Sequence, residues 1–198
     1  MEEMKMNAIT QLITQQLAGG AARTIANRFG ISETTANTGI QIAVPLILAA
    51  LARNASRPEE AENLHQAINN DHDGSIFENL MGYVQNPQSA NGSGILGHVF
   101  GNQQPAIEDK LAVATGMDRQ SAGGLLQTLA PLVMGSLGKA QQENGLDASG
   151  LSNFLAVQQQ EAQTTAPSAM GMLNSLLDQN QDGSSMDDLQ RLAANLFK

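Results

Sequence analysis

Acids outnumber bases 19 to 10 in this chain of 198 residues, for a formal net charge of −9. There is no Cys and no Trp, and aromatic residues make up only 3%. That excludes disulfides, thiolate metal sites and a cysteine nucleophile. It also disfavours base-stacking platforms and, through the acidic balance, phosphate backbones and anionic membranes as partners.

The start, Met1-Glu2-Glu3-Met4-Lys5, is acidic and leads into no apolar run of the kind a secretory signal needs. The longest apolar stretch, residues 42–52, is interrupted by Pro45 and falls short of the roughly 20 residues of a membrane span. A soluble, cytoplasmic protein is the expectation. Strand patterning is weak throughout, and helical spacing is easy to find.

Residues 7–18 place Ile9, Leu12, Ile13 and Leu17 on one helical face, and Gly19-Gly20 ends or bends that helix. A second helix spans 21–29 with Gly30 just past its end, and Ser32 caps a third. From Ile40 to Leu51 the chain is apolar nearly all round, which requires burial; Pro45 should start a new helix there or kink the existing one. Pro58, followed by acids, marks another helix start. Residues 86–94, NPQSANGSG, read as a polar Gly/Ser-rich linker.

Beyond the linker the pattern repeats. The Gly30-Ile-Ser turn corresponds to Gly116-Met-Asp, and Val44-Pro45-Leu to Ala130-Pro131-Leu, both at an offset of 86. The acidic run Asn69-Asn-Asp71-His-Asp73-Gly74-Ser75 likewise resembles Asp178-Gln-Asn180-Gln-Asp182-Gly183-Ser184, at an offset of 109. Two related halves are therefore expected, 1–85 and 95–198, the second lengthened by a Gln-rich insertion near 158–165 and an apolar helix near 169–177. The predicted fold is all-α, with the Pro-containing helices 40–53 and 125–138 buried together.

Two constellations carry candidate chemistry. Asp178, Asn180 and Asp182 place oxygen ligands at alternate positions ahead of Gly183, the pattern of the first half of a Ca²⁺ loop. Ser184, Asp187 and Asp188 complete the candidate metal set, but position 12, where a bidentate acid belongs, is Leu189. The competing reading is a turn with a capping box, and Ser75 with Glu78 fits that pattern fully. The second constellation is a helix-turn-helix-like corner at 24–40, whose second helix carries Glu33 and no Lys or Arg.

Catalysis has little support. His65, His72 and His98 have no recognisable nucleophile motif around them, and no phosphate loop is present. Gly123-Gly124 reads as a helix break or a close-packing point.

Taken in order, Gly94-Ile-Leu-Gly97-His98-Val-Phe-Gly101, Gly116-Met-Asp and Leu129-Ala-Pro131-Leu-Val-Met-Gly135 resemble the bacterial YidB-related proteins of domain-of-unknown-function family 937. The Gly30-Ile-Ser, Val44-Pro45-Leu and Asp182-Gly183-Ser184 segments fit the same family. The resemblance implies an all-helical bacterial protein with no assigned activity and no established catalytic residues. The expected role is a non-enzymatic structural or interaction protein. Self-association or a protein partner, and a Ca²⁺-binding loop, are its specific forms. A nucleic-acid-binding regulator acting through the 24–40 corner is the alternative.

Overall fold

The computed structural model describes residues 8–18 and 20–177. Among them every regular element is helical: α1 (Ala8–Leu17), α2 (Ala21–Phe29), α3 (Glu33–Ala55), α4 (Pro58–Asp71), α5 (Leu80–Gln85), α6 (Gly92–Phe100), α7 (Gln104–Thr115), α8 (Arg119–Asn144), α9 (Ala148–Thr165) and α10 (Pro167–Leu177). Short 3₁₀ turns at Ser75–Phe77, Pro87–Ala90 and Gly101–Gln103 join some of them.

Two long helices, α3 and α8, form the centre. They pack against each other, and Gly39 of α3 sits under Leu125 of α8. Helix α9 lies on α3 and α4, α10 on α3 and α7, and α1, α6 and α7 pack on α8. The apolar run within α3 is accounted for by this position, since Val44 and Leu46 to Leu51 are all buried. Helix α3 is long and apolar enough to cross a membrane by length and composition, yet 72% of its most apolar window is buried inside the fold.

Pro45 neither starts a helix nor ends one. Helix α3 runs unbroken through it, as α8 runs through Pro131. Each proline removes one backbone hydrogen bond, the one its N–H would have made to the carbonyl of Gln41 or Gln127. Both prolines are buried, and the packing around them holds the helices together across that loss.

The two long helices begin alike. At the end of α2, Gly30 turns left-handed (φ 65°), and at the end of α7 Gly116 does the same (φ 73°), where a side chain would be strained. Two residues on, Ser32 accepts the amide of Thr35 at 3.0 Å, and Asp118 accepts the amide of Ser121 at 2.9 Å. The Ser121 hydroxyl also donates to Asp118, at 2.6 Å. These bonds, the hydroxyl's first, hold the Asp118 carboxyl below its usual range.

A carboxylate whose folded value is depressed stabilises the fold above its unfolded value, and that contribution fades as pH falls through the folded value. Asp118→Ala is therefore expected to lower the melting temperature at pH 7. Followed by circular dichroism on acidification, the gap to the parent should close below the ordinary carboxylate range, as the parent loses its own cap.

The 86–94 segment corrects the sequence reading. It is no linker: Pro87–Ala90 is a 3₁₀ turn with Pro87 buried, and α6 begins at Gly92. Gly92 is buried against α8, so close that a Cβ on it would lie 1.9 Å from the Gln127 carbonyl oxygen. The glycine serves close approach rather than flexibility. The Gln-rich stretch is likewise ordered, as the last turns of α9, with Gln158, Glu161 and Ala162 buried.

Candidate functional site

The six candidate metal ligands, Asp178, Asn180, Asp182, Ser184, Asp187 and Asp188, lie outside the described residues. The related first loop is described, and it is a docked turn. Asn69 and Asp71 belong to the last turn of α4, and His72 closes that helix. The Asp73 carboxylate accepts the Ser75 amide at 2.9 Å, and Gly74 turns left-handed (φ 94°). Hydrogen bonds from Ser75, its hydroxyl's first, lower the Asp73 pKa.

The capping box expected of Ser75 and Glu78 does not form. Ser75 sits inside the 3₁₀ turn, so its side chain caps nothing; Asn79 caps α5 instead, accepting the Gly82 amide at 3.1 Å. No group of three or more His, Asp or Glu side chains converges to hold a metal among the described residues.

The loop is tied to α8. A Cβ on Gly138 would stand 1.9 Å from the His72 carbonyl oxygen. Gln142 donates to the Asp73 carbonyl at 3.1 Å, and Gln141 donates to the Asn69 side chain at 2.6 Å. Lys139 lies 5.5 Å above the Phe77 ring. The Asp73 carbonyl and the Asn69 amide oxygen are thus used in docking, and the Asp73 carboxylate in the turn itself.

The histidines are dispersed. His65 stands on α4, 3.4 Å from the Asn69 amide. His98 is on α6, not in a turn, with Nε2 3.4 Å from the Glu60 carboxylate. His72 is half-buried, and desolvation lowers its pKa despite the opposing pull of Asp71 and Asp73.

At the helix-turn-helix corner, the basic groups of α2 are engaged: Arg23 pairs with Glu33 at 3.3 Å, and Arg28 donates to the Gln85 carbonyl at 3.1 Å. The exposed face at the start of α3 presents Glu33, Thr34, Asn37 and Thr38.

One large concavity carries no contiguous signature in the sequence. A groove of about 1470 Å³ runs along the first half of α8, between the end of α2, the 87–93 turn and α7. Gly123 and Gly124 lie at its floor, the first covered by the Glu108 side chain and the second by the Phe29 ring, which a Cβ there would meet at 2.3 Å. Its charges balance: Arg28 and Arg119 against Glu108 and Asp118. Arg119 lies 3.2 Å from Asp109 and 3.6 Å from Glu108, and Gln104 donates to Glu108 at 2.9 Å. Gln120 and Gln127 add exposed amides to the wall. Four separate elements build this surface, so only the Gly123-Gly124 pair marks it in the sequence.

Residues 11–140 match the model of one protein family, described as bacterial protein of unknown function (DUF937). The chain belongs to the DUF937 family. No curated protein and no solved structure matches it. The matched span opens within α1 and closes near the end of α8, and so takes in both corners, the groove and the docked acidic loop. Helices α9 and α10 lie beyond this DUF937 match.

Proposed function

We propose that this DUF937 protein is a non-enzymatic interaction protein that assembles through the groove along α8, with a second copy of the chain as its partner. The observation that carries the reading is the groove's balance of charge. Two chains of net charge −9 repel one another in general, and they meet at least cost where acids and bases already pair. The exposed Gln120 and Gln127 on the groove wall offer amides to a partner segment.

The same reading takes the chain as an internal duplication. The offset of 86 recurs in the left-handed glycines, the helix caps and the internal prolines of α3 and α8. Ca²⁺ enters as a modulator held by Asp178, Asn180 and Asp182, with Ser184, Asp187 and Asp188 beside them, on the ligand pattern of the sequence alone.

The test is multi-angle light scattering across a concentration series, with and without Ca²⁺. The parent's mass should rise with concentration, and the double variant Gln120→Trp/Gln127→Trp, which fills the groove from two exposed positions, should stay at monomer mass. Ca²⁺ should shift the parent's curve but not that of Asp178→Ala/Asp182→Ala. A parent that stays monomeric throughout would defeat the assembly reading. Salt-sensitive binding to duplex DNA would favour a regulator acting through the 24–40 corner.

A further inference from the structure

A second concavity lies away from the groove, where the last turns of α3, α4, α6 and the middle of α8 leave a cavity of about 210 Å³. Its inner surface is apolar: Leu51, Ala55, Val99 and Met134 are buried, and Leu64 and Ile95 form half-buried walls. The Asn54 amide donates to the Val99 carbonyl at 3.1 Å, which pins α3 to α6 on one side of it.

Its polar lining residues are Asn54, Glu60, Asn63, His72, Asn91 and His98. The Glu60 carboxylate is engaged by His98 at 3.4 Å and by Arg57 at 3.6 Å. Asn63 and His72 also line the cavity, and neither side chain makes a hydrogen bond to the described residues. Burial lowers the His72 pKa and so favours the neutral imidazole, one of whose ring nitrogens is an acceptor.

Size and polarity together narrow the ligand. A dry apolar cavity of about 150 Å³ takes up benzene, whereas sites for drug-sized molecules start near 300 Å³. The volume here suits two fused rings. An anionic ligand would face Glu60, and a cationic one would have to compete with Arg57 and His98 for it. We propose that this cavity binds a small uncharged apolar molecule of about bicyclic-aromatic size bearing one hydrogen-bond donor, and that the imidazole of His72 accepts that hydrogen.

Titration of the full chain with indole, followed by two-dimensional amide NMR, tests this. Indole carries the donor; benzothiophene has nearly the same shape without it. Indole should give saturable shifts centred on Leu51, Leu64, Ile95 and Val99, with a dissociation constant of about 0.1–1 mM, as expected for so few atoms. Benzothiophene should bind the same residues about 3- to 10-fold more weakly, the worth of one neutral hydrogen bond. His72→Phe should bring indole down to the benzothiophene value and leave benzothiophene unchanged. Ala67→Phe, from the half-buried wall on α4, should occupy the cavity and abolish both. Failure of indole to saturate up to its solubility limit would overturn the proposal. So would equal affinity for the two probes, or indole shifts that survive unchanged in a folded Ala67→Phe protein.

Discussion

Gly138→Ala should destabilise the protein by about 2–3 kcal/mol, a fall of roughly 5–10 °C in melting temperature for a chain of this size. Helix propensity predicts the opposite sign, because alanine in a helix interior is worth about 1 kcal/mol more than glycine. The local geometry overrides it. The new methyl would stand 1.9 Å from the His72 carbonyl oxygen and about 3 Å from the backbone carbons of His72 and Asp73. Those are backbone atoms that cannot rotate aside.

The loop would have to lift from α8, losing the bonds from Gln142 to the Asp73 carbonyl and from Gln141 to Asn69. Gly92→Ala should behave in the same way, since its methyl would meet the Gln127 carbonyl oxygen at 1.9 Å. Gly97 is the control. It is helical and exposed with nothing within 4 Å of its Cβ position, so Gly97→Ala should be neutral or stabilising by about 0.5–1 kcal/mol. Thermal melts of the three variants decide the matter, and a stabilised Gly138→Ala would show that the loop is not docked on α8 as described.

The second large effect lies at the crossing of α3 and α8. Leu125 is fully buried, and its Cδ2 would come within 2.5 Å of a Cβ on Gly39. Leu125→Ala should cost about 2–5 kcal/mol through lost burial and the cavity left behind. Gly39→Ala should cost about 1–3 kcal/mol by overpacking, since Leu125 and Met117, which a Cβ would approach to 3.1 Å, are both enclosed. The two losses should not add. In the double variant the new methyl occupies part of the space vacated by the leucine, so the total should fall short of the sum by at least about 1 kcal/mol. Urea denaturation of the four proteins measures this coupling, and strict additivity would mean that the two residues do not face each other.

Local chemistry made much of the fold legible. Gly30, Ser32, Gly116 and Asp118 state their roles within three or four residues of chain, because a left-handed turn and a side-chain cap are settled by near neighbours. The all-round apolar run of α3 likewise announces burial before any partner is known. Gly92 and Gly138 could not be read in that way. Each is glycine because of a carbonyl far off in the sequence, Gln127 for one and His72 for the other, so a linker was the natural misreading of 86–94.

The Ser75/Glu78 pattern misled for a related reason. The residues of a capping box were present, but docking on α8 pulled the backbone into a 3₁₀ turn led by Asp73 and Gly74. As for the candidate sites, the groove draws on α2, the 87–93 turn, α7 and α8, and the small cavity on α3, α4, α6 and α8. No window of sequence holds either one. Of the three histidines, His72 and His98 border the same small cavity, and nothing in the sequence signals that they share it.

Tyr83 ties α5 to the middle of α8. It is buried, and its hydroxyl donates to the Thr128 carbonyl at 2.7 Å, three residues before Pro131. Desolvation, only partly offset by Arg28, raises its pKa beyond the usual tyrosine range. It is also the chain's single tyrosine, and there is no tryptophan. The protein's near-ultraviolet spectrum is therefore dominated by one contact. Phenolate absorbance in alkali and tyrosine emission on unfolding both report the moment at which α5 parts from α8, without any label being added.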